Sequence, residues 1–197
     1  MRVHSEEMTD SGVRQVTDSR VLAAMTHPLR RRLMDVLKVY GPATASALAQ
    51  RTDQAVANVS HHLKVLAGAD LIVEAPELAK DRRERWWRLA SPSLRWATGD
   101  FDDDLADQAV ANAAVSLNLD RHVSLARTWF ATRDESSAWN GAAFSTDKWL
   151  HLTPAELAEV EREIIGVLDR WAYRDLPEDG ETREPVFMFA YGVPAQP

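Results

Sequence analysis

The stretch at residues 54–68 constrains the fold more than any other part of the sequence. Its apolar side chains recur every three or four residues, at Val56, Val59, Leu63 and Leu66. A helix turns about 100° per residue, so this spacing places all four on one side. We predict a helix over residues 54–68, capped by Asp53, with this stripe against a core and a polar face opposite. His62 is expected nearer the core, and Val65 against a neighbouring element.

The segments around this helix complete a recognisable order of elements. Helical spacing and cap residues predict three earlier helices, at residues 18–25, 28–39 and 44–52. The apolar residues 71–73 and the segment at residues 84–89 are typical of paired strands, with the polar residues 77–83 as their loop. Four helices followed by a hairpin, with a tight connection between the third and fourth helices, predict a winged helix-turn-helix.

The second half of the chain has a different character. The acidic cluster at residues 100–104 favours a helix start and precedes a long helix to about Arg133, with a small-residue face at residues 109–114. Residues 153–173 predict another helix, with an inner face at Leu157, Val160, Ile164, Leu168 and Trp171. Residues 148–152 and 185–191 are predicted strands. Trp96, Trp129, Trp139, Trp149 and Trp171 suit a core or a dimer interface better than a pocket for an apolar effector.

The expected fold class is therefore mainly α with small β elements. We predict a flexible arm at residues 1–17, a winged helix-turn-helix domain at 18–97, and an acidic, largely helical α+β domain at 98–197 for dimerisation and possible effector binding.

Charge separates the two halves. The whole chain has a net charge of −7, but residues 21–97 hold 12 basic and 7 acidic side chains, while residues 98–197 hold 8 and 19. Local positive charge favours a polyanionic partner for the first part. The chain has no cysteine and no long apolar run, so we expect a cytoplasmic protein without a membrane segment.

The sequence Ser60-His61-His62-Leu63-Lys64-Val65-Leu66, followed by Ala69-Asp70-Leu71-Ile72, resembles the ArsR-like family of winged-helix regulators. Residues 24–30 and 81–87 support the resemblance, which covers about residues 18–90. The second half is similar to the helical extension of an actinobacterial-type subgroup. The resemblance implies a homodimer that binds double-stranded DNA, usually as a repressor, and is released by a metal or another signal.

The metal-binding features of that family are incomplete here. Residues 43–50 lack the cysteine pair that metal-sensing members carry in the helix before the recognition helix. Asp120-Arg121-His122 matches only the first part of another family pattern, and the next histidine, His151, lies far beyond that helix. We expect no metal and no cofactor.

The candidate DNA-binding residues lie in two groups. The polar face of the 54–68 helix offers donors and acceptors to the major groove: Gln54, Ala57, Asn58, Ser60, His61 and Lys64. The loop at residues 77–85 offers cations to the minor groove or to phosphates: Lys80, Arg82, Arg83 and Arg85. The three arginines at residues 30–32 fit a solvated face and a phosphate contact equally well.

The two other classes of function are an enzyme and an adaptor for protein–protein contact. Enzyme activity is not expected, because the sequence has no glycine-rich phosphate loop, nucleophile elbow or paired-histidine motif. A winged-helix adaptor for protein–protein contact, using the acidic half as its binding surface, is the stronger alternative. For the regulator we expect dimerisation through the long helix at residues 102–133.

Overall fold

A computed structural model describes residues 13–81, 83–101 and 104–196 of the chain. The chain divides into two compact units, residues 1–121 and residues 122–197. This division falls later than the domain boundary expected at residue 98, because the first half of the long helix packs with the first unit. The expected fold class, mainly helical with small sheets, is confirmed.

Within its described residues, the first unit contains four helices and five short strands, and the long helix begins within it. The elements in chain order are β1 (Val13–Gln15), α1 (Ser19–Met25), α2 (Pro28–Tyr40), β2 (Ala43–Thr44), α3 (Ala45–Thr52), α4 (Val56–Gly68), β3 (Ile72–Glu74), β4 (Trp86–Leu89), β5 (Ser93–Arg95) and α5 (Leu105–Thr132). Short 3₁₀ turns at Pro76–Leu78 and Thr98–Phe101 lie between them.

The first three helices begin within one residue of their predicted starts, and each has a side-chain cap. The Asp18 carboxylate accepts the Arg20 N–H at 2.9 Å, and Nδ1 of His27 accepts the Leu29 N–H at 3.2 Å. Oγ1 of Thr44 accepts the Ala47 N–H at 3.2 Å. Each side chain satisfies a backbone donor that the first turn of a helix leaves without a partner.

The predicted start of α4 is wrong. Asp53 does not cap this helix but ends α3 in the left-handed conformation, with φ of 54°, where its N–H reaches the carbonyls of Ala49 and Gln50. Aspartate tolerates that conformation better than most residues, so it serves a helix end as readily as a helix start. Helix α4 begins at Val56, after Ala55, and Gln54 therefore lies in the turn.

The wing is a three-stranded antiparallel sheet. Strand β4 lies in the middle, with Ile72 of β3 opposite Leu89 and Ala43 of β2 opposite Trp87. The hairpin of β3 and β4 was predicted, whereas β2 was not, because two residues carry no readable alternation.

A second, parallel pair joins β1 and β5. Val13 is the partner of Ser93 and Gln15 of Arg95, and the Val16 N–H donates to the Arg95 carbonyl at 2.8 Å. The expected flexible arm is therefore wrong for residues 13–17, while residues 1–12 lie outside the described part of the chain.

The core of the first unit lies among α1 to α4. Its largest fully buried side chains are Leu22, Leu33, Leu48, Leu63, Leu66, Leu71 and Ile72. Ala111 and Ala114 of α5 belong to the same cluster. The small-residue face of α5 is thus partly covered within its own unit, and Arg121 adds an ion pair with Asp35 of α2.

The second unit contains the end of α5, the short helix α6 (Trp139–Ala142) and α7 (Pro154–Ala172). Helix α7 has the predicted capping box: Oγ1 of Thr153 accepts the Glu156 N–H at 3.3 Å, and Oε2 of Glu156 accepts the Thr153 N–H at 2.7 Å. Of the inner face predicted for α7, Leu157, Val160 and Leu168 are half-buried, but the prediction is wrong for Ile164 and Trp171, which are 40% and 62% exposed.

The two strands predicted for this unit are also wrong. Residues 148–152 and 185–191 form no strand, since neither has a hydrogen-bonded neighbour in a sheet among the described residues. Among the described residues 122–196, no side chain is classed as buried. In the described part of the chain, no helix combines the length and the apolar character that crossing a membrane requires.

Candidate nucleic-acid interface

Helix α4 is held in the first unit by one side. Val59, Leu63 and Leu66 are buried in the core, and His62 is 8% exposed beside them. Val65 is half-buried against the same core. Val56, predicted to share the apolar stripe, is 46% exposed because it is the first residue of the helix and lies one turn ahead of the packed part.

The opposite side of α4 carries the predicted base-reading residues. Ala57, Asn58, His61 and Lys64 are exposed, Ser60 is half-buried at the edge, and Gln54 is exposed in the turn that precedes the helix. We call this set the polar face of α4. Periodicity alone predicted which side chains face solvent, with Val56 as the exception.

Two hydrogen bonds connect the turn to the first turn of the helix. Nε2 of Gln54 donates to the Asp53 carbonyl at 2.8 Å. Nδ2 of Asn58 donates to Oε1 of Gln54 at 3.0 Å. Sequence reasoning did not find this arrangement, because it depends on the left-handed turn at Asp53.

Three histidines lie close together, one of which, His61, belongs to the polar face of α4. The ring of His62 lies 4.4 Å from that of His27 and 5.4 Å from that of His61, between centroids. Nδ1 of His62 is buried and has no hydrogen-bond partner among residues 13–81, 83–101 and 104–196. Burial lowers the pKa of His62, and the nearby His27, Arg30 and His61 lower it further.

The wing loop is shaped by two acidic side chains. Oδ1 of Asp81 accepts the N–H groups of Arg83 and Glu84 at 2.7 and 3.1 Å, and Oε2 of Glu84 accepts the Lys80 N–H at 2.9 Å. These bonds close the tip of the loop and leave the side chains of Lys80 and Arg83 exposed.

The other wing arginines differ in position. Arg85 is exposed but pairs with Glu74 of β3, with 3.5 Å between Nη1 and Oε1. Arg82, also predicted to contact DNA, lies outside the described residues. Sequence reasoning missed the Glu74 pair because strand register, rather than spacing in the chain, brings the two side chains together.

The arginines at the start of α2 differ in their contacts. Nε and Nη2 of Arg30 donate to the carbonyls of Ala24 and Ala23 at the end of α1, so this side chain closes the first helix. Desolvation lowers the pKa of Arg30. Arg32 is exposed and remains available to a phosphate.

One cation that sequence reasoning did not select belongs to this surface. The guanidinium carbon of Arg51 lies 4.1 Å from the ring centroid of Tyr40, and both residues are exposed. Arg51 lies in the last turn of α3, three residues before Gln54. Stacking on an aromatic ring orients a guanidinium while leaving its N–H donors in the plane free to bind an anion.

The structure shows neither a metal cluster nor an enclosed apolar pocket among its described residues. Within the described residues, no three metal-binding side chains form a cluster. Nδ1 of His122 is hydrogen-bonded to the Tyr191 hydroxyl at 2.8 Å. Trp149 and Trp171 are 64% and 62% exposed, so they do not enclose an apolar pocket. An open cavity of about 1100 Å³ in the first unit is lined by charged side chains, among them Arg14, Asp70, Asp100, Asp104 and Asp107.

The family comparison agrees with the helix-turn-helix fold of the first unit. Residues 25–75 match the family described as "Helix-turn-helix domain". Among solved structures, the transcriptional regulator Tm0710 from Thermotoga maritima is 12% identical, with a TM-score of 0.32 over 81% of this chain and 90% of that one. No curated protein matches the sequence. The family match covers α2 to β3 and therefore includes the whole of α4.

Proposed function

We propose that this chain is a sequence-specific DNA-binding transcriptional regulator that acts as a homodimeric repressor. Helix α4 reads the major groove, and the wing loop contacts the minor groove or the phosphates. The observation that carries the proposal is the polar face of α4, which is exposed directly after a helix-turn-helix connection. Its amide, hydroxyl, imidazole and ammonium groups are those that recognise base edges and phosphates.

The distribution of charge supports the same function. Residues 21–97 carry the excess of basic side chains, although the whole chain is acidic. The exposed cations of this part include Arg51 in the last turn of α3, Lys64 on α4, and Lys80, Arg83 and Arg85 at the wing. Neutralising several phosphates in this way makes affinity depend steeply on salt.

The proposed dimer follows from how such proteins read two half-sites, with one α4 for each, about 34–36 Å apart. Ala111 and Ala114 are covered within the first unit, so the interface uses other residues of α5 and the second unit. The large apolar side chains exposed there include Leu125, Phe130, Ile164 and Trp171. Apolar surface of this extent is typical of a protein-binding face, and a second copy is the partner that a two-fold operator requires.

The test is direct binding of the full-length chain to DNA. Selection from random duplexes, followed by fluorescence anisotropy at several salt concentrations, should give a consensus and an affinity that falls steeply with salt. Lys64→Ala should weaken binding to every duplex, whereas Lys148→Ala, which removes the same charge from the second unit, should not. An adaptor would bind no duplex even at low salt, and that result would overturn the proposal.

A further inference from the structure

We infer that Asp53, Gln54 and Asn58 form one hydrogen-bond relay that sets the base preference of α4, with Asn58 as the base-reading residue and Gln54 as its positioning residue. This inference rests on the proposed function and assigns different roles to two side chains that were predicted as equivalent readers. Its basis is the fixed direction of each hydrogen bond in the series.

The relay starts from a carbonyl whose position the backbone fixes. Asp53 is held in the left-handed conformation, with φ of 54°, and its N–H is bonded to the end of α3. A carbonyl oxygen can only accept a hydrogen bond. Gln54 must therefore present its Nε2 group to Asp53, which it does at 2.8 Å.

The orientation of Gln54 then determines that of Asn58. With Nε2 used toward Asp53, the Oε1 atom of Gln54 faces the first turn of α4 and can only accept. Asn58 therefore presents Nδ2, and the distance is 3.0 Å. The reverse orientation of either amide would place two oxygens against each other, so the carbonyl of Asp53 sets both.

The outward group of Asn58 follows from this constraint. Its Oδ1 and its second Nδ2 hydrogen remain for a partner on the exposed polar face. One acceptor beside one donor matches the major-groove edge of adenine, which offers the N6 donor and the N7 acceptor. Guanine offers two acceptors and does not match. We therefore expect adenine opposite Asn58.

The order that Gln54 imposes on the side-chain amide of Asn58 in the free protein also affects the affinity for DNA. A free asparagine loses rotamer freedom when it binds a base, and a side chain that is already ordered loses less. Gln54→Ala should consequently weaken the adenine preference of Asn58 even though Gln54 itself touches no base. A residue that reads a base on its own would instead affect a different base pair.

The test measures base preference for full-length wild type, Asn58→Ala, Gln54→Ala and the double variant on duplexes substituted at each position of the selected site. Asn58→Ala should reduce the preference for adenine at one position by about tenfold or more. Gln54→Ala should reduce it at the same position, and the double variant should lose no more than Asn58→Ala alone. Lys64→Ala should lower affinity without changing any base preference.

A measurement on the free protein separates this inference from the proposed function. Gln54→Ala should shift the side-chain amide signal of Asn58 in a ¹H–¹⁵N NMR spectrum, while Lys148→Ala should not. If wild type ignores all duplexes, the proposed function fails whatever the NMR result. If Gln54→Ala alters a different base pair and leaves the one beneath Asn58 unchanged, or if the amide signal does not shift, the relay is wrong while DNA binding stands.

Discussion

The imidazole rings of His27 and His62 lie 4.4 Å apart, where the start of α2 meets the buried side of α4. Nδ1 of His27 accepts the Leu29 N–H, so this ring is fixed as the cap of α2. The ring of His62 is almost fully buried, and no described residue forms a hydrogen bond with its Nδ1. Charging His62 places a cation in a buried position near Arg30 and two other imidazoles, and this weakens the packing of α4 on α2.

This relationship makes stability depend on pH. The pKa of His62 is lowered from its usual 6.5 by burial first, and then by His27, Arg30 and His61. The unfolded chain therefore binds the proton more readily than the folded one. The contribution of His62 is complete above pH 6.5 and is lost as pH falls below it toward the lowered pKa.

Urea unfolding measured between pH 7.5 and pH 5 checks this dependence. The midpoint should fall with pH in wild type and fall less in His62→Gln, whereas His151→Gln, at an exposed histidine, should behave as wild type. Equal pH slopes for wild type and His62→Gln would show that another group is responsible.

Substitutions at two adjacent residues of α4 should have separate effects, one on the free energy of unfolding and the other on duplex affinity. Leu63 is buried in the core and Lys64 is exposed on the polar face. Leu63→Ala should lower the free energy of unfolding by about 2–5 kcal/mol, because a cavity replaces the lost side chain. Lys64→Ala should change it by only about 0.5 kcal/mol and should act on duplex affinity instead. Urea unfolding and anisotropy on both variants make the comparison; an unstable Lys64→Ala would mean that α4 is packed differently.

The stacked pair of Arg51 and Tyr40 should contribute a phosphate contact. Arg51→Ala should weaken binding to all duplexes and reduce the slope of log K against log salt by about 0.9, the value for one phosphate on B-DNA. Arg51→Lys should keep the slope, since the charge remains, but lose part of the affinity with the stacked geometry. The measurement is a salt titration, and an unchanged slope for Arg51→Ala would remove this residue from the interface.

Glu74 should restrain Arg85 of the wing. The two side chains form an exposed pair, which contributes little to stability, so Glu74→Ala should leave the unfolding midpoint nearly unchanged. Duplex affinity should rise several-fold, because a negative charge is removed and Arg85 becomes available to DNA. Arg85→Ala should cancel the gain in the double variant. If affinity falls in Glu74→Ala, the wing loop does not face DNA.

The dimer should depend on the exposed apolar side chains of the second unit. Light scattering on the full-length chain should give twice the monomer mass. Ile164→Glu should shift the mass toward the monomer by placing a charge in the apolar interface, while Glu163→Gln, its neighbour on α7, should not. A wild-type monomer at micromolar concentration would contradict the homodimer.

Helix positions and caps could be predicted from the sequence because they depend on local chemistry. Thr44, Pro28 and Asp18 each act within three residues of their own position. Asp53 could not be assigned in this way, because the same side chain suits a helix start and a left-handed helix end. The strands were harder to predict, because pairing decides them: β1 and β5 join residues about eighty positions apart, whereas the apolar run at residues 185–191 has no neighbouring strand in the described part of the chain.

The candidate site shows the same limit. Periodicity predicted that Ala57, Asn58, His61 and Lys64 face solvent, and their contact with DNA stays a prediction. The bond between Gln54 and Asn58, the stack of Arg51 on Tyr40 and the pair of Arg85 with Glu74 are contacts between side chains. Each depends on backbone geometry that spacing alone does not specify.

The parallel pairing of Val13–Gln15 with Ser93–Arg95 has a mechanical consequence. Tension applied between the chain before Val13 and the chain after Arg95 pulls these strands along their length in opposite directions. Their hydrogen bonds are then loaded in shear and share the force, instead of opening one after another. Helices α1 to α4 lie between the two strands in the sequence. The backbone of these helices therefore carries none of the applied tension until the paired strands separate.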